Sequence, residues 1–115
     1  MDNGASSYRR FLAGDDEGLH EIICEYRTGL ILYLNSFVQN IHTAEELTED
    51  TFAELAVRCP KFSGKSSFKT WLFAIGRNIT AKHIRKKHRF FAGADFSFSN
   101  SEFDISAQKS TLSIL

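Results

Sequence analysis

The sequence predicts an all-α protein: a compact three-helix domain with a short extra helix at its N-terminal end and a flexible C-terminal tail. Three observations carry this. Apolar residues recur at steps of three and four over long stretches. Helix-capping residues stand just ahead of those stretches. One proline and seven glycines in 115 residues are too few turn formers for a β architecture. A chain of this length makes one small domain with one modest core.

The first helix is expected to start near Ser6 or Ser7 (SSYRRFLAG) and to stop at Gly14. Asp15 or Asp16 then caps a long second helix, with acids in its first turn where they complement the helix dipole. Its apolar stripe is Leu19, Ile22, Ile23, Tyr26, Leu30, Leu34, Phe37, Val38 and Ile41. The run LILYL within it also reads as a strand, but the spacing on both sides decides for helix. Thr43 followed by Glu46 forms a capping box, so a third helix is expected from Ala44 to Arg58, ended by Pro60. The connection KFSGKSS reads as a loop. Ser66 or Ser67 caps the last helix, expected to reach Phe90 and to end at Gly93. The helical domain is thus placed at residues 6–92. Residues 93–115, Ser-rich with Phe96, Phe98 and Phe103, read as a linker or loose terminus whose Phe-Ser-Phe alternation also suits a strand or a partner's groove.

Net charge is zero, but its distribution is uneven. Residues 1–57 carry eleven acids against three bases. From Arg58 to Arg89 there are ten Lys and Arg and no acid. Such asymmetry points to two surfaces of opposite sign, the basic one suited to a polyanion. The competing reading is that one half simply packs electrostatically on the other.

On the third helix, Glu45, Glu46, Glu49, Asp50 and Glu54 occupy the face opposite Ala44, Leu47, Thr51 and Leu55, with Phe52 beside the apolar stripe. Three like-charged pairs at i, i+4 are mutually destabilising. That face is either solvated or a docking surface for a basic partner. On the last helix, Phe68, Leu72, Ile75 and Ile79 fall within about 40° of one another and form the core face. A second stripe holds Trp71, Asn78, Lys82, Arg85 and Arg89. It aligns a ring for stacking, an amide for base edges and cations for phosphates, with Lys86 beside it. A buried Trp71 and an Asn78 bonded only to nearby backbone are the alternatives.

Other chemistries lack support. His20 and Cys24 are a two-ligand pair, yet zinc takes four ligands and no second pair has the spacing. His83 and His88 lie on different faces. Neither a glycine-rich phosphate loop nor a Ser/His/Asp set is present. No enzyme activity, metal or cofactor is therefore expected. No apolar run reaches the ~18 residues of a membrane span, and MDNGASSYRR does not have the pattern of a secretory leader. Cys24 and Cys59 then read as reduced thiols in a cytoplasmic protein.

Four pieces together, FLAGDDEGLHEII..Y (11–26), AEELTEDTF (44–52), KFSGKSSFKTWLFAIGRN (61–78) and HIRKKHR (83–89), resemble region 2 of bacterial RNA polymerase sigma factors of the extracytoplasmic-function (ECF) type, from Tyr8 to Arg89. The resemblance implies that the acidic helix docks on the clamp helices of the polymerase core β′ subunit. There the usual Asp-Leu-x-Gln-(Asp/Glu)-x-Phe reads Glu46-Leu47-Thr48-Glu49-Asp50-Thr51-Phe52, so Glu49 puts a charge in place of an amide. The resemblance also implies that the loop before the last helix, and that helix, open and read the promoter −10 element. A flipped base of the non-template single strand is held against the loop Phe62, Ser63, Gly64, Lys65, Ser66 and Ser67, which Lys61 precedes. Asn78 matches the asparagine of I-A-R-N, Gly76 replaces the usual alanine, and Lys82 stands where an aspartate is common.

A complete factor of this type carries a second helical domain for the −35 element, which is not read after Gly93. The chain is then an excised domain with its linker, a truncated product or a stand-alone module. The alternative function is a sigma-like decoy that binds an anti-sigma factor without serving promoters. An anti-sigma factor is an expected partner in either case.

Overall fold

The computed structural model describes residues 3–95, with side-chain surroundings for residues 4–89. It contains four helices, α1 (Asn3–Leu12), α2 (Asp16–Val38), α3 (Ile41–Arg58) and α4 (Phe68–Asp95), and no strand among the described residues. α2 is the central element: α1, α3 and α4 all pack on it, and α3 also packs on α4. The readings made for Phe96, Phe98 and Phe103 lie outside the described residues.

Helix α1 starts earlier than Ser6, because its first turn is held by packing rather than by a serine cap. A Cβ at Gly4 would come within 2.3 Å of the Phe68 ring, so the bare backbone lies directly on the core. Gly18 does the same for the α1–α2 contact: a Cβ there would fall 2.2 Å from the Ser7 carbonyl oxygen and 2.8 Å from the Phe11 nitrogen. Only glycine admits this approach. Arg10 reaches across to Glu21, which also accepts from Ser7 Oγ at 2.8 Å.

Asp15 caps α2, accepting from the Glu17 amide at 3.0 Å. LILYL is helical throughout. The helix ends at Val38, where Gln39 turns left-handed (φ 52) and donates to the Asn35 carbonyl. Asn40, extended at φ −154, then caps α3 by accepting from the Thr43 amide at 3.1 Å. Ile41 therefore opens α3 instead of closing α2, and Asn40 does the capping expected of Thr43. The apolar spacing runs across this break because Val38 and Ile41 happen to be three apart.

Cys59 (φ 47) closes α3 in a left-handed turn. Ser67 caps α4, its Oγ accepting from the Thr70 amide at 3.1 Å. α4 does not stop at Gly93 but continues to Asp95; a single interior glycine costs a helix only about 1 kcal/mol. From Phe68 to Arg89, the buried residues of α4 are Phe68, Leu72, Gly76 and Thr80, a line advancing four residues at a time. Ile75 and Ile79, expected at the centre of the core face, are only partly buried. The core is otherwise aliphatic, built on Ile22, Leu30, Leu34, Leu47 and Leu55, with Tyr8, Phe52 and Phe68 as its aromatic members.

Candidate nucleic-acid and partner interfaces

The loop from Pro60 to Ser67 leaves α3 at the left-handed Cys59 and enters α4 at the Ser67 cap. Gly64 takes φ 84, a conformation that favours glycine, with open space around it. Lys61, Ser63, Lys65, Ser66 and Ser67 are exposed and Phe62 is half-buried. The Phe62 ring lies 5.0 Å from that of Trp71 and meets Phe68 edge-on at 5.6 Å. Trp71 in turn sits 5.5 Å from Phe68 and 5.4 Å from Tyr8. These four rings form one cluster at the entrance of α4. Trp71 thus does not stand out beside the cations; it is a half-buried plane supporting Phe62. Ser67 is committed to the helix cap, and its hydroxyl also meets Thr70 Oγ1 at 3.0 Å.

Along α4, Asn78, Lys82, Arg85, Lys86 and Arg89 are all exposed, as is Arg77. Among the described residues none of these cations takes part in an ion pair. Cations left unneutralised along one helix give it a field suited to phosphates. Asn78, Arg77 and Arg85 also line a groove of about 630 Å³ whose apolar wall includes Tyr33 and Phe37 of α2. Sequence reasoning missed those two rings and Arg77. Arg77 stood in the acid-free segment, Phe37 was absorbed into a core stripe, and Tyr33 was read only as part of LILYL.

The acidic face of α3 divides in two. Glu49 pairs with Arg27 of α2 at 3.1 Å, Glu54 with Arg58 at 3.5 Å, and Glu45 lies 3.8 Å from His42. Glu46 and Asp50 are exposed and have no ion-pair partner among the described residues. These exposed pairs are worth at most about 1 kcal/mol each. Phe52 is set apart from the acids, 3% exposed in the core. On α4, burial and the neighbouring Lys87 lower the His83 pKa, while the carboxylates of Glu46 and Asp50 oppose the shift.

His20 Nε2 and Cys24 Sγ lie 3.5 Å apart on α2, and among the described residues no three His, Cys, Asp or Glu side chains are grouped to hold a metal. Cys24 and Cys59 are exposed free thiols. No helix of the described residues is long and apolar enough to cross a membrane.

Residues 22–90 match the family described as Sigma-70 region 2. The chain is 40% identical over 50 residues to the ECF RNA polymerase sigma factor SigC of Mycobacterium tuberculosis, covering 44% of this chain and 27% of that protein. It is 30% identical over 74 residues to the ECF RNA polymerase sigma factor SigW of Bacillus subtilis, covering 64% and 40%. The RNA polymerase sigma-H factor of Pseudomonas aeruginosa is 23% identical over 94 residues, 82% of this chain and 49% of that protein. The chain therefore spans less than half the length of these relatives. No solved structure gives a significant match.

Proposed function

Because this chain belongs to the sigma-70 region 2 family, as a member of the ECF sigma factors of RNA polymerase, we propose that it brings the polymerase core to promoters and opens the −10 element. The work is divided between two helices. The acidic face of α3, with Glu46 and Asp50 foremost and Glu45, Glu49 and Glu54 around them, docks on the basic clamp helices of the core β′ subunit. The α4 edge, through Asn78, Lys82, Arg85, Lys86 and Arg89, follows the promoter strand. The Phe62 loop receives an unpaired base of the non-template strand.

The observation that carries this reading is the row of α4 cations without ion-pair partners among the described residues, together with a half-buried phenylalanine at the entrance of that helix that rests on a tryptophan. A single strand is bound by that combination, because rings stack on bases and cations track the backbone. No bond is made or broken, so the protein acts as a binder and not as a catalyst. Unpairing a base costs a few kcal/mol, and stacking returns about 1–3 kcal/mol per base. Phosphate contacts release counterions and supply the remainder. Such work is done where the polymerase is, in the cytoplasm. A decoy that only occupied an anti-sigma factor would have no use for the cation row.

Two measurements test it. Core polymerase should be captured by the parent chain and lost with Glu46→Lys/Asp50→Lys; equal capture by both would remove the docking assignment. Fluorescent single-stranded −10 oligonucleotides should bind the parent, with Phe62→Ala and Asn78→Ala each weakening binding. If Phe62→Ala binds like the parent, the base-capture assignment is wrong, and if Asn78→Ala does so, Asn78 makes no contact to the strand.

A further inference from the structure

We infer that Tyr8 of α1 is a positioning residue that holds the Phe62 loop in its receptive shape, a role that rests on the loop's proposed part in base capture. The loop contributes little to its own conformation. Among the described residues, no backbone–backbone hydrogen bond ties residues 61–66 to one another or to the rest of the fold. Its local contacts are side-chain ones, Lys65 N to Ser63 Oγ at 3.4 Å and Ser66 Oγ to the Ser67 carbonyl at 3.2 Å. A segment of that kind takes its shape from what it is fastened to.

It is fastened at two points, and one side chain meets both. The Tyr8 hydroxyl donates to the Pro60 carbonyl, fifty-two residues away, at the first residue after the left-handed turn. The Tyr8 ring packs 5.4 Å from Trp71 and 5.6 Å from Phe68, the same two rings on which Phe62 rests. Tyr8 is 1% exposed. Burial, helped by Cys59, lifts its phenol to about 12, so the hydroxyl remains a donor at any physiological pH. Tyr8 is itself fixed by α1, which Gly18 and the Arg10–Ser7–Glu21 contacts seat on α2. The family match begins only at residue 22, so this prop lies outside it.

The discriminating variant is Tyr8→Phe in the full 115-residue chain, which keeps the ring and removes only the donor. Affinity for a fluorescent single-stranded −10 oligonucleotide should fall about three- to tenfold, the equivalent of one lost hydrogen bond. Emission of Trp71, the only tryptophan, should shift to the red and be quenched more readily by acrylamide. Capture of core polymerase through α3 should not change. Ile31→Val, a core change on α2 that leaves Tyr8, Pro60 and Phe62 in place, serves as the stability control. If Tyr8→Phe binds like the parent while Phe62→Ala loses binding, the positioning role is overturned and base capture stands. If Ile31→Val weakens binding as much as Tyr8→Phe, the effect is general stability and the positioning role is again overturned. If Phe62→Ala also binds like the parent, base capture itself has failed and the positioning role falls with it.

Discussion

Three threonine hydroxyls are buried at the centre of the bundle, Thr48 and Thr51 at 0% and Thr80 at 1% exposure, and they differ in what they bond. Thr51 donates to the Leu47 carbonyl at 2.8 Å. The Thr48 and Thr80 hydroxyls have no partner among the described residues. An unsatisfied buried hydroxyl costs about 1–3 kcal/mol, which an apolar group of the same shape does not. Thr80→Val should therefore raise stability by about 1 kcal/mol and Thr51→Val lower it by up to about 1 kcal/mol, both read from urea unfolding. A loss of stability in Thr80→Val would show that its hydroxyl is satisfied after all. His83 adds a pH term. Its folded pKa is depressed below 6.5, so the unfolded chain binds the proton more readily than the folded one. The stability it contributes is present above 6.5 and is lost as pH falls through the lowered folded value. His83→Gln should flatten that loss when unfolding is followed from neutral pH downward.

At the scale of elements, the α1–α2 contact is set by backbone approach more than by side chains. Gly18→Ala would push a methyl into the Ser7 carbonyl and Phe11 amide, and neither can rotate away. Overpacking of this kind costs about 1–3 kcal/mol, visible as a lowered thermal midpoint; an unchanged midpoint would mean that α1 slides freely. Much of the helical layout was legible beforehand, because the Asp15 cap, the Arg58 end and the Ser67 cap are local signals of residue type. The α2–α3 junction was not. Val38 and Ile41 keep the helical spacing across it, and the Thr43–Glu46 pair masked the Asn40 cap. Tertiary pairings were also hidden from the sequence. Arg27 neutralising Glu49 and Tyr8 holding Pro60 each join elements distant in the sequence, which no periodicity records.

For the molecule as a whole, the charge asymmetry along the chain becomes two exposed helix faces, with Glu46 and Asp50 outward on α3 and cations without ion pairs among the described residues on α4. Single-strand binding should weaken with salt, with a log–log slope of about 0.7 for each phosphate engaged. Arg85→Ala should reduce that slope by about 0.7, whereas Asn78→Ala should weaken binding and leave the slope in place. Identical slopes for parent and Arg85→Ala would remove Arg85 from the phosphate track. Between Ala81 and Arg89 no residue of α4 is fully buried, and this stretch carries Lys82, Arg85, Lys86, Lys87 and Arg89. Lys82 with Lys86, and Arg85 with Arg89, repel at one-turn spacing. Held only by partly buried residues, this stretch is a short polyelectrolyte whose self-repulsion counterions screen. Added salt would therefore act twice with opposite sign, easing repulsion within the free helix while loosening the proposed hold on a nucleic acid. On that proposal a bound phosphate chain would do both jobs at once, as ligand and as counterion of the helix.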